Sequence, residues 1–98
     1  MIIQKSFQLN QETRSILSKH KVKKLSLFGS YARGENDQNS DIDLLVEFSD
    51  RKSLLDIVEI EIELSEALNR KVDLLTEKSI SPYLIDNIKK DAKMIYHE

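Results

Sequence analysis

A mixed α/β (α+β) fold, a small mixed sheet flanked by helices, is predicted by three features of this 98-residue sequence. Short apolar runs of strand length, at 23–28, 41–48 and 72–75, alternate with longer segments that open on helix-capping residues. The resulting order, α-β-β-α-β-α, suits a sheet with helices packed against it. Only 2 glycines and 1 proline punctuate the chain and no internal repeat is present, so residues 1–98 are expected to form one domain.

Asn10 is placed to cap a first helix over about 11–20, with Leu9, Ile16 and Leu17 as its few apolar contacts. Residues 23–28 read as the first strand. Residues 30–34 form a short helical turn that Gly34 ends, and the polar run 35–39 is a loop. Residues 41–48 are the second strand. Ser53, with Asp56 three positions on, makes a capping box for a helix running to about Asn69. That helix has a competitor, because Val58, Ile60, Ile62 and Leu64 alternate with glutamates at a strand's period. On a helical wheel, Leu54, Leu55, Ile57, Val58, Ile62, Leu64 and Leu68 share one half, and length, cap and glutamate content favour helix. Glu61 falls inside that apolar half. The simple expectation is that it snorkels to water at the edge of the face; the sharper one is a polar contact in a partner interface. Residues 72–75 are a third strand, Ser81-Pro82 opens a last helix carrying Leu84, Ile85 and Ile88, and Met94-Ile95-Tyr96 adds a terminal edge strand.

The chemistry is concentrated in LFGSYARGENDQNSDIDLLVEF, residues 27–48. Gly29 lets the chain leave an apolar strand sharply. Ser30 stands where a helix begins, offering a hydroxyl and free backbone N–H groups to a phosphate. Ten residues later come Asp41 and Asp43, at i and i+2 of a strand. Such residues share a face, about 6.5–7 Å apart along the chain. Two carboxylates so placed suit Mg²⁺, which takes oxygen ligands together with substrate phosphates. The pattern points to metal-assisted transfer from a nucleoside triphosphate.

The same residues allow other readings. Asp37-x-Asn39-x-Asp41 begins like a calcium loop, but Ile42 stands where glycine is needed and Phe48 where glutamate is needed. No Gly-Lys-Ser/Thr occurs, which argues against γ-phosphoryl transfer by a P-loop. Arg33, three residues beyond Ser30, can reach a phosphate oxygen; the plain alternative is an exposed pairing with Glu35 or Asp37. His20 and His97 have no clustered ligand partners and are expected to face solvent. Aromatic packing is the safer role for Tyr31, Tyr83 and Tyr96. A formal net charge of −2 gives no basic footprint, so direct nucleic-acid binding is not expected. The absence of cysteine excludes thiolate metal sites and disulfides. The apolar start Met1-Ile2-Ile3 is too short for a signal peptide and no run approaches membrane-spanning length, so the expected location is cytoplasmic.

Gly29-Ser30, ten residues, then Asp41-Ile42-Asp43 closely resembles the signature of the minimal nucleotidyltransferases (MNT), small members of the polymerase-β-like nucleotidyltransferase superfamily. More weakly, the resemblance extends through Val72-Asp73-Leu74-Leu75. It implies a palm-like core, with Asp73 as the third member of a catalytic and metal-binding carboxylate triad with Asp41 and Asp43. As a bare sequence feature, Asp73 reads as a strand-edge aspartate. The resemblance further implies ATP as substrate, two Mg²⁺ ions, and nucleotide binding by Gly29, Ser30 and Arg33. Such proteins are often antitoxins encoded beside a HEPN-type RNase toxin. The leading expectation is therefore an enzyme that places AMP on a hydroxyl, in particular a tyrosine, of that cognate toxin. So small a chain is expected to need a separate partner to supply the acceptor. Two alternatives stand beside it: an antitoxin acting by occlusion alone, and a small-molecule nucleotidyltransferase of the aminoglycoside type, which would need a dimer. Homo- and hetero-oligomers are both left open.

Overall fold

The structure is a computed structural model and describes residues 9–37 and 39–98. The expectation for Met1-Ile2-Ile3 and the Gln38 position of the polar loop lie outside the described residues. The elements follow the expected order: α1 (Gln11–Lys19), β1 (Val22–Phe28), α2 (Ser30–Arg33), β2 (Ile42–Phe48), α3 (Leu54–Leu68), β3 (Val72–Leu75), α4 (Pro82–Asp91) and β4 (Lys93–His97). A 3₁₀ turn at Glu77–Ser79, not foreseen in the sequence, links β3 to α4.

The helix starts are made by the side chains that sequence reasoning assigns to them. Asn10 Oδ1 accepts the Thr13 N–H at 2.8 Å. Ser53 Oγ accepts the Asp56 N–H at 3.1 Å while Asp56 Oδ2 accepts the Ser53 N–H at 3.0 Å, a closed capping box. Ser81 caps α4 with Pro82 in the first turn.

The four strands lie in the order β3-β2-β1-β4. β1 pairs antiparallel with both β2 and β4, and β2 pairs parallel with β3 across the α3 crossover. β4 is the edge strand expected at the C-terminal end. Because strand side chains alternate, the sheet has two distinct faces. Leu25, Leu27, Ile42, Leu44, Val46, Val72 and Leu74 point into one core with Leu17 of α1 and Ile60 and Leu64 of α3. The intervening residues Ser26, Phe28 and Leu45, although buried, lie outside that cluster and form the second face.

Four expectations differ from the structure. α3 does not bury the half-wheel drawn from the sequence. Leu54 and Leu55 are 76% and 79% exposed, and Val58 and Ile62 are also exposed. The buried stripe is Ile60 and Leu64, flanked by half-buried Ile57 and Leu68, at the i, i+3, i+7, i+11 spacing of a narrower face. Glu61 does not snorkel to water, and no partner is needed to explain it: its carboxylate accepts the Leu74 N–H of β3 at 2.8 Å. His20 is half-buried, with Nε2 2.9 Å from Glu63 Oε2 of α3. Tyr31 and Tyr96 pack against the core as expected, whereas Tyr83 is 90% exposed.

Candidate active site

The second face of the sheet carries the acidic residues. Asp43 sits on β2, opposite Phe28 of β1 on one side and in register with Asp73 of β3 on the other. Asp41 lies just before β2, two residues from Asp43, and therefore on the same face. The pairing is closed at its start by the Ile42 N–H, which donates to the Lys71 carbonyl at 2.9 Å. The structure thus brings together the three aspartates named from the sequence.

Directly beside them β1 turns into α2. Gly29 has φ 75 and ψ −151, a conformation essentially restricted to glycine. A Cβ on Gly29 would overlap Asp43 Oδ2 and come within 3.2 Å of Asp43 Cγ. Gly29 therefore serves both the turn and the close approach of the carboxylate to the backbone. Ser30 opens α2, whose first N–H groups have no preceding turn to bond to. Gly34 closes α2 in the left-handed conformation, as expected.

The electrostatics follow from this crowding. Asp43's carboxyl is held above its ordinary pKa, first by burial, then by the neighbouring charges of Asp73 and Asp41. Sharing a proton with the neighbouring Asp73 carboxyl would raise it further, while Arg33 pulls weakly in the opposite direction. Arg33 itself takes the plain pairing: Nε donates to Glu35 Oε1 at 3.0 Å, and Nη1 lies 3.9 Å from Asp91 Oδ2. It also lines a cleft of about 260 Å³ between α2 and α4, with Phe28, Gly29, Leu84 and Ile88. Lys71, which the sequence did not single out, places Nζ 3.8 Å from Asp41 Oδ2.

The donor set fits a divalent cation of the Mg²⁺ kind. It is all oxygen, and it concentrates negative charge that a cation would relieve. Among the described residues, no group of three or more His, Cys, Asp or Glu side chains is arranged to hold a metal ion. Mg²⁺ needs only one or two carboxylates from the protein, waters and substrate phosphates completing its shell.

Comparison with known proteins shows the family of the chain. The model of the nucleotidyltransferase domain family matches residues 9–95. The chain belongs to that family. It is a nucleotidyltransferase, of the minimal kind that its signature resembles. A provisionally named protein adenylyltransferase of Methanocaldococcus jannaschii is 51% identical over 85 residues, covering 87% of this chain and 91% of that protein. The protein adenylyltransferase MntA of Thermococcus cleftensis is 40% identical over 78 residues, covering 71% and 79%. Among solved structures, a toxin–antitoxin crystal structure with AMP-PNP contains a similar chain. It has a TM-score of 0.77 and 30% identity, over 92% of this chain and 75% of that one. A further match, TM-score 0.66 and 26% identity over 87% and 66%, is to a complex of tri-AMPylated Shewanella oneidensis HEPN toxin with MNT antitoxin. The nucleotidyltransferase fold and enzyme class expected from the sequence are therefore both borne out. Among the described residues, no helix is long and apolar enough to cross a membrane.

Proposed function

We propose that this nucleotidyltransferase is an antitoxin that transfers AMP from ATP to a hydroxyl, a tyrosine in particular, of a cognate HEPN RNase toxin encoded nearby, and so silences it. The observation that carries this reading is the in-register placement of Asp43 between Asp73 on one neighbouring strand and the Gly29 turn on the other. Phosphate-binding backbone and carboxylates then face one point. The names of the relatives support AMP as the transferred group and a toxin as the acceptor.

In this reading the N–H groups after Gly29, with the Ser30 hydroxyl, seat the outer phosphates of ATP. Arg33, whose side chain is 45% exposed, exchanges Glu35 for a phosphate oxygen. Asp41, Asp43 and Asp73 hold Mg²⁺, two ions in the full assembly. When bound, the metal supplies charge neutralisation and a lower pKa for the acceptor hydroxyl. The acceptor oxygen forms a bond to the α-phosphorus and the bond to the bridging oxygen breaks. Pyrophosphate leaves, and the hydroxyl proton passes to a carboxylate of the site, Asp73 being the candidate if it acts as general base instead of metal ligand.

The test is transfer of α-labelled ATP, with Mg²⁺, to the product of the adjacent gene, with wild type run beside Asp41→Ala and Asp43→Ala. Label that appears on the partner and vanishes in both variants supports the reading. A stable, neutralised complex that never takes label from the wild type overturns it in favour of occlusion. Label on small alcohols in the absence of any partner would favour a small-molecule enzyme.

A further inference from the structure

β3 carries Asp73 at the edge of the sheet, where only β2 pairs with it. A four-residue edge strand is a weak support for a group that must be held in place. Ile42 bonds to Lys71, so by strand alternation Asp73 turns its backbone toward β2, while the N–H groups of Val72 and Leu74 point outward. Both outward groups are taken by side chains of α3. Ser65 Oγ accepts the Val72 N–H at 3.0 Å and donates its own hydroxyl to the Glu61 carbonyl at 2.8 Å. Glu61 Oε2 accepts the Leu74 N–H at 2.8 Å. These two N–H groups flank Asp73 in sequence, so its backbone is held from both sides.

We propose that Glu61 and Ser65 are positioning residues that fix Asp73 beside Asp43; this rests on the reading of Asp73 as a member of the metal-binding triad. The chemistry of Glu61 suits the task. A carboxylate acceptor makes a stronger bond to a backbone N–H than a neutral one does. It is an i−4 neighbour of Ser65 on α3, so the two form one acceptor row along the strand edge. Any cover over this edge must supply acceptors for the two N–H groups, and two aimed acceptors also constrain the strand's position along its own axis.

The test uses the full chain, with Mn²⁺ binding followed by electron paramagnetic resonance and, separately, transfer to the partner. Glu61→Ala should weaken Mn²⁺ binding and lower kcat by about 10–100-fold, the range for lost outer-shell support, with KM for ATP little changed. Glu61→Gln keeps an acceptor and should restore most of both, and Ser65→Ala should fall between them. Hydrogen exchange at the Leu74 amide should quicken in Glu61→Ala. In an Asp73→Asn background, Glu61→Ala should cost nothing further. Should Glu61→Ala fail to fold, Glu61→Gln and Ser65→Ala carry the comparison. If Asp73→Asn loses Mn²⁺ and transfer while the Glu61 and Ser65 variants match wild type, the positioning role is refuted and the role of Asp73 stands. If Asp73→Asn itself matches wild type, the triad reading falls and the positioning role with it. Additive losses in the double variant would reduce Glu61 to general structural support and overturn the proposal.

Discussion

Replacing Gly29 by alanine should damage fold and site through one atom. The native angles, φ 75 and ψ −151, lie in a region that costs a residue with a Cβ about 1–3 kcal/mol. The new methyl would also overlap Asp43 Oδ2, so the carboxylate must turn away from its rotamer, at about 0.5–1.5 kcal/mol. Together the loss is about 1.5–4.5 kcal/mol, a fall in melting temperature of roughly 6–36 °C for a domain of this size. The two parts can be separated. In an Asp43→Ala background the overlap is gone and only the backbone strain remains, so Gly29→Ala should cost less there by about 0.5–1.5 kcal/mol. Denaturant unfolding of the four proteins of this cycle, in chelator, measures that coupling. Transfer to the partner at a temperature where Gly29→Ala is folded should fall at least about 100-fold, since a carboxylate displaced by about 1 Å is out of reach of its task. Additivity to within about 0.3 kcal/mol would show that Asp43 does not lie against Gly29. Near-normal transfer by Gly29→Ala would show that the close approach is dispensable.

Asp43→Asn should stabilise the metal-free protein while abolishing transfer. Because Asp43's folded pKa is raised, the folded state keeps a proton that the unfolded chain releases above a pKa of about 3.9, and stability declines as pH rises from there through the folded value. The variant's melting temperature should therefore exceed that of wild type at pH 7 and converge on it near pH 3; a lower value at pH 7 would refute the electrostatic account. Leu64→Ala, at a fully buried position, should cost about 2–5 kcal/mol by denaturant unfolding. Leu55→Ala, on the exposed side of the same helix, should change stability by no more than about 0.5 kcal/mol. A large effect at Leu55 would mean that α3 is turned differently on the sheet.

The start of each main helix was legible because capping is a local transaction between a side chain and a backbone a few residues on, as at Asn10, Ser53 and Ser81. Asp41 and Asp43 were legible as a pair for the same reason: the period of a strand decides that they share a face. The face of α3 was not. Leu54, Leu55, Ile57, Val58, Ile60, Ile62 and Leu64 cover somewhat more than half of the helix, so the pattern does not say which part of that broad arc is buried, and the sheet's position selects Ile60 and Leu64. Pairings between distant elements were likewise hidden, since nothing in the sequence says that Glu63 meets His20 and Lys19, or that Lys71 stands by Asp41. Glu61 left a trace as a charge inside an apolar half-wheel. Its meaning required knowing that an edge strand ran alongside.

Strand order explains why the site forms where it does. β2 is an inner strand, and its residues Asp43, Leu44 and Leu45 have a neighbour on both sides. At Asp43 these neighbours are Asp73 and Phe28, the latter directly before the Gly29 turn. An edge strand in the same place would meet only one of them. The cost is a half-buried carboxylate crowded by like charge. That cost is tolerable because the same strand buries Ile42, Leu44 and Val46 on its opposite face, among α1, α3 and the other core residues. Alternation along one strand thus separates the residues that stabilise the fold from those that destabilise it, and the destabilising row is the one with the chemistry. β3 lacks this advantage. Lying at the edge, it depends on α3 to satisfy its outer N–H groups, and the acidic residue it brings is only as well placed as those two bonds allow.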